Sequence, residues 1–148
     1  MKRPVTLWIL IFWLGFLALG GLYGGIAMLL DPSGGSLGMA GVLPLLPVAN
    51  YVLPGLFLLV IMGLLPLLLI YGLLARPNWT WLESMLRQTK YHWAWTGTVV
   101  LGAALAIWLL VEGILIGFKW TIQYVTAVNG LFIVLFVFLP SVRKFYKN

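Results

Sequence analysis

Four long runs of apolar residues constrain the fold of this chain more than any other feature. They cover about residues 5–30, 51–75, 94–118 and 121–139 of a 148-residue sequence. A helix rises about 1.5 Å per residue, so about 20 apolar residues cross the hydrocarbon core of a bilayer. Charged residues make up only 8% of the chain, whereas a soluble domain has about 25%. We therefore predict an all-α fold, a four-transmembrane-helix bundle that forms a single membrane domain over residues 1–148.

Glycine and proline mark special positions within the first two runs. Gly20, Gly21, Gly24 and Gly25 form two overlapping small-xxx-small patterns. This spacing favours close approach of another helix, although glycines also mark a bend or an unwound end. Pro66 lies inside the second run and predicts a kink, because proline removes a helical hydrogen bond.

Two connections are too polar or too interrupted to cross a membrane. The turn at residues 31–35, DPSGG, ends the first run, and residues 36–50 contain Pro44 and Pro47. We predict that residues 36–50 form an outer interfacial segment. Residues 76–91 contain Trp79 and Trp81, and tryptophan anchors at the headgroup level. We predict that they form a cytoplasmic interfacial connector with a short surface helix.

The basic residues predict the orientation of the bundle. With four spans, eight of the nine Lys and Arg residues lie on one side, and only Lys119 lies on the other. Cytoplasmic loops are enriched in Lys and Arg, so both termini are expected in the cytoplasm. We predict a multi-pass protein of the bacterial inner membrane. The basic residues are Lys2, Arg3, Arg76, Arg87, Lys90, Arg143, Lys144 and Lys147.

Glu112 is the one acidic residue inside a strongly apolar run. A carboxylate in hydrocarbon costs about 2.5–3.5 kcal/mol on insertion scales, so it needs a proton, a partner or a wet cavity. One interpretation is a hydrogen-bonded carboxyl that ties helices together. The other is a ligand or proton site, and a third is simple snorkelling toward the interface.

Several polar and aromatic side chains are expected at the depth of Glu112, in the outer leaflet. Asn129 in the fourth run is the candidate to hydrogen-bond Glu112, because consecutive helices joined by a short link are antiparallel neighbours. Such a cluster fits an outward-facing polar pocket, and it equally fits ordinary interhelical hydrogen bonding. The predicted ligand-binding residues are Glu112, Asn129, Tyr23, Tyr51, Trp120 and Gln123.

Residues for most kinds of catalysis are missing from the sequence. The chain has no cysteine and a single histidine, His92, which is predicted at the cytoplasmic interface, away from Glu112. A lone histidine rarely binds a metal, and a hydrolytic triad needs a histidine beside the carboxylate. We expect no enzymatic activity, no catalytic residues, no metal and no cofactor. The net charge of +6 is assigned to basic flanks facing anionic lipid, and we expect no nucleic-acid partner.

Three motifs resemble a group of small bacterial membrane proteins with four helices. They are DPSGGSLGM at residues 31–39, LPGLFLLVIMGLLPL at residues 53–67 and VEGILIGFKWTIQ at residues 111–123. The resemblance implies a four-span architecture and no particular function. The small multidrug transporters also have four helices and one membrane glutamate. They have it in the first span, whereas Glu112 lies in the third, so that likeness fails at the site.

Two functions remain open from the sequence. The leading hypothesis is a non-enzymatic membrane protein that binds a small ligand or membrane lipid at Glu112, or that acts as an accessory subunit beside other membrane proteins. The alternative is a proton-coupled small-molecule transporter with Glu112 as the titrating group. Four helices rarely enclose a transport path, so the alternative requires a homo-oligomer.

Overall fold

The computed structural model describes residues 2–86 and 89–147, and regular structure in these residues is helical. An isolated bridge between Tyr91 and Lys147 is the one extended pairing among them. The all-α prediction is confirmed. The helices are α1 (Val5–Leu30), α2 (Val52–Ala75), α3 (Thr80–Met85), α4 (Trp93–Ile116), α5 (Thr121–Val137) and α6 (Pro140–Phe145).

Three of these helices are long and apolar enough to cross a membrane. They are α1 with 26 residues, α2 with 24 and α4 with 24. Helix α5 is apolar but shorter, with 17 residues. Helix α4 ends two residues before the predicted bound, because Gly117 takes a left-handed conformation with φ of 74°.

Helix α2 contains a π-helical stretch at Leu58–Leu64, just before Pro66. Pro66 lacks an N–H group, so the carbonyl of Met62 loses its usual donor four residues later. The N–H of Leu65 reaches back five residues, to the carbonyl of Val60. At Pro66, where a kink was predicted, the structure shows a widened helix on the N-terminal side of the proline.

Helices α1 and α2 approach closely through glycines. A Cβ atom on Gly21 would overlap the backbone of Met62, and a Cβ atom on Gly25 would lie 2.7 Å from the backbone nitrogen of Leu59. The Cα–H bond of Gly21 that a Cβ atom would replace therefore points at the carbonyl of Met62, in a Cα–H···O type of contact. The predicted close packing is confirmed for Gly21 and Gly25. Gly20 has no neighbouring atom within 4 Å among the described residues, so it takes no part.

Both ends of the chain lie at the same end of the bundle. The hydroxyl groups of Thr6 in α1 and Ser141 in α6 are 2.6 Å apart. Helix α5 runs antiparallel to α4 and lies beside it. The first turn of α4 is in contact with the end of α5, where the indole N–H of Trp95 donates to the carbonyl of Val137 at 2.8 Å. We call this the terminal end and the opposite one the far end. The apolar core between them includes Leu10 of α1, which is 0% exposed.

At the terminal end, the last carbonyl groups of α2 accept hydrogen bonds from residues that are distant in sequence. Arg3 donates to the carbonyl of Leu74 at 2.7 Å, and the phenol of Tyr146 donates to that of Leu73 at 2.5 Å. The guanidinium of Arg76 lies 5.2 Å from the centre of the Tyr146 ring. A helix end leaves such carbonyls unpaired, so these contacts fix α2 to both chain ends.

The two connections differ in structure. Between α1 and α2 the chain forms short 3₁₀ helices, Gly35–Leu37 and Ala40–Leu45. Helix α3 is the short helix predicted in residues 76–91, and its Trp81 is 63% exposed. Arg87, one of the eight basic residues, lies outside the described residues.

Candidate functional site

Glu112 lies near the end of α4 and lines a cavity of about 400 Å³ at the far end. The carboxyl is partly buried. The walls come from the start of α2, the end of α4 and the connection at residues 39–48. They are mostly apolar, with Val42, Leu46 and Leu115 among them. The polar pocket expected from the sequence is therefore an apolar cavity with one carboxyl group.

Gln123 is the polar side chain that the structure brings to Glu112. Its Nε2 atom lies 3.4 Å from Oε2 of Glu112 and donates to the carbonyl of Gly117 at 3.0 Å. Its Oε1 atom accepts from the backbone N–H groups of Lys119 and Trp120, both at 3.1 Å. Gln123 is only 3% exposed, and its three hydrogen bonds to backbone groups stabilise the turn between α4 and α5. The contact to Glu112 is at the long limit of a hydrogen bond.

Tyr51, another of the predicted site residues, also lines the cavity. Its phenol donates to the carbonyl of Met39 at 2.7 Å, and its side chain is 1% exposed. The ring lies against Gly34, where a side chain would overlap it. Gly34 has φ of 77°, a conformation that glycine adopts at little cost. Tyr51 thus ties the connection over the cavity to the start of α2.

Asn129 does not meet Glu112. Its side-chain amide, oriented to satisfy both partners, donates to the carbonyl of Trp13 at 3.0 Å and accepts from the N–H of Leu17 at 3.3 Å. Both groups belong to α1. Asn129 is six residues from Gln123, which places it about 120° away around α5 at 100° per residue. The expected hydrogen bond to Glu112 is wrong, because this face of α5 contacts α1 instead of α4.

Tyr23 and Trp120 are also separated from the cavity, since neither belongs to its lining among the described residues. Tyr23 is 71% exposed and Trp120 is 40% exposed. Tyr23 lies between Gly21 and Gly25 in sequence, and those glycines face α2, so its side chain points the other way. Of the six predicted residues, the structure therefore brings together Glu112, Gln123 and Tyr51.

Two aromatic wall residues were not predicted. Trp108 and Phe57 line the cavity, and their rings stack at 4.5 Å with 17° between planes. Trp108 precedes Glu112 by four residues, so helical spacing places both on one face, a signal that the sequence does contain. Phe57 gives no comparable signal, because one more aromatic residue in an apolar helix does not distinguish a cavity wall.

His92 has a structural role at the terminal end. Its Nδ1 atom accepts from the N–H of Ala94 at 3.3 Å, so its Nε2 atom donates to the carbonyl of Pro77 at 3.2 Å. Burial lowers the pKa of His92 below its usual value, which favours this neutral form. Residues 2–86 and 89–147 contain no group of three His, Cys, Asp or Glu side chains able to hold a metal ion.

Fold and composition together define a helical membrane protein, with three helices able to cross a bilayer and an apolar cavity at one end. No protein family model matches the chain, and comparisons with curated proteins and with solved structures find no match either.

Proposed function

We propose that this chain is a non-enzymatic, four-span protein of the bacterial inner membrane that binds a membrane lipid or a small apolar ligand in the cavity beside Glu112. The supporting observation is the cavity itself. Its volume of about 400 Å³ lies within the usual range for small-molecule sites, about 300–1,000 Å³. Apolar walls with a few placed polar groups are typical of such sites.

In this proposal α5 is the fourth span and both termini are cytoplasmic. The terminal end contains Arg3, Arg76 and Arg143, whereas Lys119 lies at the far end. This asymmetry supports a cytoplasmic terminal end, which places the cavity in the outer leaflet. Because the chain has no cysteine, Ser36→Cys and Ser84→Cys form a matched pair for labelling with an impermeant maleimide. Ser36→Cys should react in intact spheroplasts and Ser84→Cys only after lysis. The reverse pattern would overturn the orientation.

Ligand binding is tested by filling the cavity. Leu115 lines it, whereas the adjacent Ile114 is 75% exposed on the outside of α4. We expect lipid or small-molecule adducts in native mass spectra of protein purified in mild detergent. They should persist in Ile114→Trp and disappear in Leu115→Trp. Equal adducts in both variants, or none in the wild type, would count against a ligand in this cavity.

The competing function is proton-coupled transport by an oligomer. One observation favours this function. The side chain that hydrogen-bonds to the Glu112 carboxyl, Gln123, is uncharged, and an uncharged partner leaves the carboxyl able to gain and lose a proton. A transporter would move protons on addition of its substrate, and Glu112→Gln would abolish this movement. Binding without proton movement in reconstituted vesicles favours the binding protein.

A further inference from the structure

We propose that the occupant of the cavity has an ammonium group that lies against Glu112, attached to an apolar body that fills the rest of the space. This inference rests on the proposed binding function and adds the chemical class of the ligand. The same chemistry is present in the ammonium headgroup of a membrane lipid and in a free lipophilic amine.

The hydrogen-bonding inventory of the cavity leads to this class. The phenol of Tyr51 donates to the carbonyl of Met39, and Gln123 donates to the carbonyl of Gly117 and to Glu112. Trp108 lies one helical turn before Glu112, and it also lines the cavity. Among the described lining residues, the phenol of Tyr51 is thus already directed at an acceptor, and Glu112 is the one side chain that can be charged. An anionic ligand would find no cationic side chain among them.

The acceptor capacity is not used up. A carboxylate offers about four lone-pair positions, and among the described residues one neutral side chain, Gln123, donates to it, at 3.4 Å. A charged group in an apolar environment is costly unless it is paired. An ammonium group supplies both the opposite charge and up to three N–H donors, so it complements what the cavity leaves unsatisfied.

The aromatic wall favours the same chemistry. Trp108, Phe57 and Tyr51 line the cavity together with Glu112, and the rings of Trp108 and Phe57 stack on each other. Aromatic rings attract cations through their quadrupole, most strongly where water is excluded. A carboxylate beside aromatic rings therefore forms a site for a positively charged group. The apolar side chains of Met28, Val42 and Leu46 leave room for a hydrocarbon body.

Three probes of equal chain length separate the possibilities. Decylamine, decanol and decanoate are titrated calorimetrically into protein in phosphatidylglycerol nanodiscs, whose lipid has no ammonium group to compete for the site, with empty nanodiscs as the background. We expect decylamine to bind at least about tenfold more tightly than decanol, and Glu112→Gln to remove that difference. Trp108→Leu, which leaves the carboxyl in place, should weaken decylamine several-fold.

The outcomes distinguish this inference from the proposed function. If decanol binds as tightly as decylamine and Glu112→Gln changes neither, the ammonium assignment is wrong while the binding cavity stands. If decanoate binds best, the assignment is also wrong. If no probe binds above background and Leu115→Trp changes nothing, the proposed function itself fails.

A second experiment determines whether the ammonium group belongs to a membrane lipid or to a free amine. Retention of phosphatidylethanolamine over phosphatidylglycerol in native mass spectra, lost in Glu112→Gln, identifies a lipid headgroup. Decylamine binding without such retention identifies a free amine.

Discussion

The close contact of α1 with α2 allows a prediction with a matched control, because two adjacent glycines of α1 have different surroundings. A Cβ atom on Gly21 would overlap the backbone of Met62, whereas one on Gly20 would meet no described atom within 4 Å. Gly20→Ala and Gly21→Ala make the same chemical change at consecutive positions. Only Gly21→Ala meets the neighbouring helix.

The expected effects have opposite signs. Alanine in place of glycine in a helix interior gains about 0.5–1 kcal/mol, which applies at both positions. At Gly21 the new methyl group forces the helices apart, and such overpacking costs about 1–3 kcal/mol. It also removes the Cα–H···O contact to Met62, worth about 0.5–1 kcal/mol. Gly20→Ala should raise the free energy of unfolding by about 0.5–1 kcal/mol, and Gly21→Ala should lower it by about 1–3 kcal/mol.

Equilibrium unfolding in mixed micelles, with increasing fractions of sodium dodecyl sulfate, measures this difference. The two variants should differ by about 1.5–4 kcal/mol, and the wild type should lie between them. If both variants change stability equally, the packing of Gly21 against Met62 is wrong. If Gly20→Ala is the destabilised variant, α1 is rotated about its axis relative to our description.

Three further predictions concern single hydrogen-bonding side chains; the first two use the same unfolding assay, and the third uses limited proteolysis. Tyr146→Phe leaves the carbonyl of Leu73 without its donor and should cost about 1–3 kcal/mol. Burial raises the pKa of Tyr146 to about 12. The stability due to its neutral phenol is therefore complete below about pH 10 and is lost as the pH rises toward 12. Tyr146→Phe should not show this loss of stability at alkaline pH. Asn129→Leu removes two bonds to α1 and should cost about 1 kcal/mol, at about 0.6 kcal/mol per bond, without changing decylamine binding. Tyr51→Phe frees the connection at Met39 and should increase proteolysis between α1 and α2, while unchanged proteolysis would show that this bond does not hold the connection.

Hydropathy was sufficient to predict the four longest helices, α1, α2, α4 and α5, because the cost of exposing backbone groups in lipid allows few alternatives to helix in long apolar runs. The same reasoning does not determine how each helix is rotated about its axis. All sides of these helices are apolar, so the pattern does not distinguish the side facing lipid from the side facing protein. Gly20 and Gly21 therefore looked equivalent in sequence, although only Gly21 faces α2.

The errors at the site have the same origin. Helical rise predicts the depth of Asn129, and depth together with the short link between the third and fourth helices suggested Glu112 as its partner. The side of α5 that faces α4 depends on how three helices pack together, which a single sequence does not reveal. Gln123 was predictable because it lies near the turn between α4 and α5, where the chain itself limits the distance to Glu112. The contact between Tyr146 and Leu73 joins residues 73 positions apart, and no local pattern predicts it.

The difference between the two ends of the bundle explains how a cavity persists beside Glu112. An empty apolar space tends to collapse when the elements around it are free to move together. Here α2 is fixed at the terminal end by Arg3 and Tyr146, and along its length by the glycine contacts with α1. Helix α4 is fixed to α5 by Trp95 at one end and by Gln123 at the other. The helices around the cavity are thus fixed in position by contacts outside it, which is the arrangement that a preorganised binding site requires.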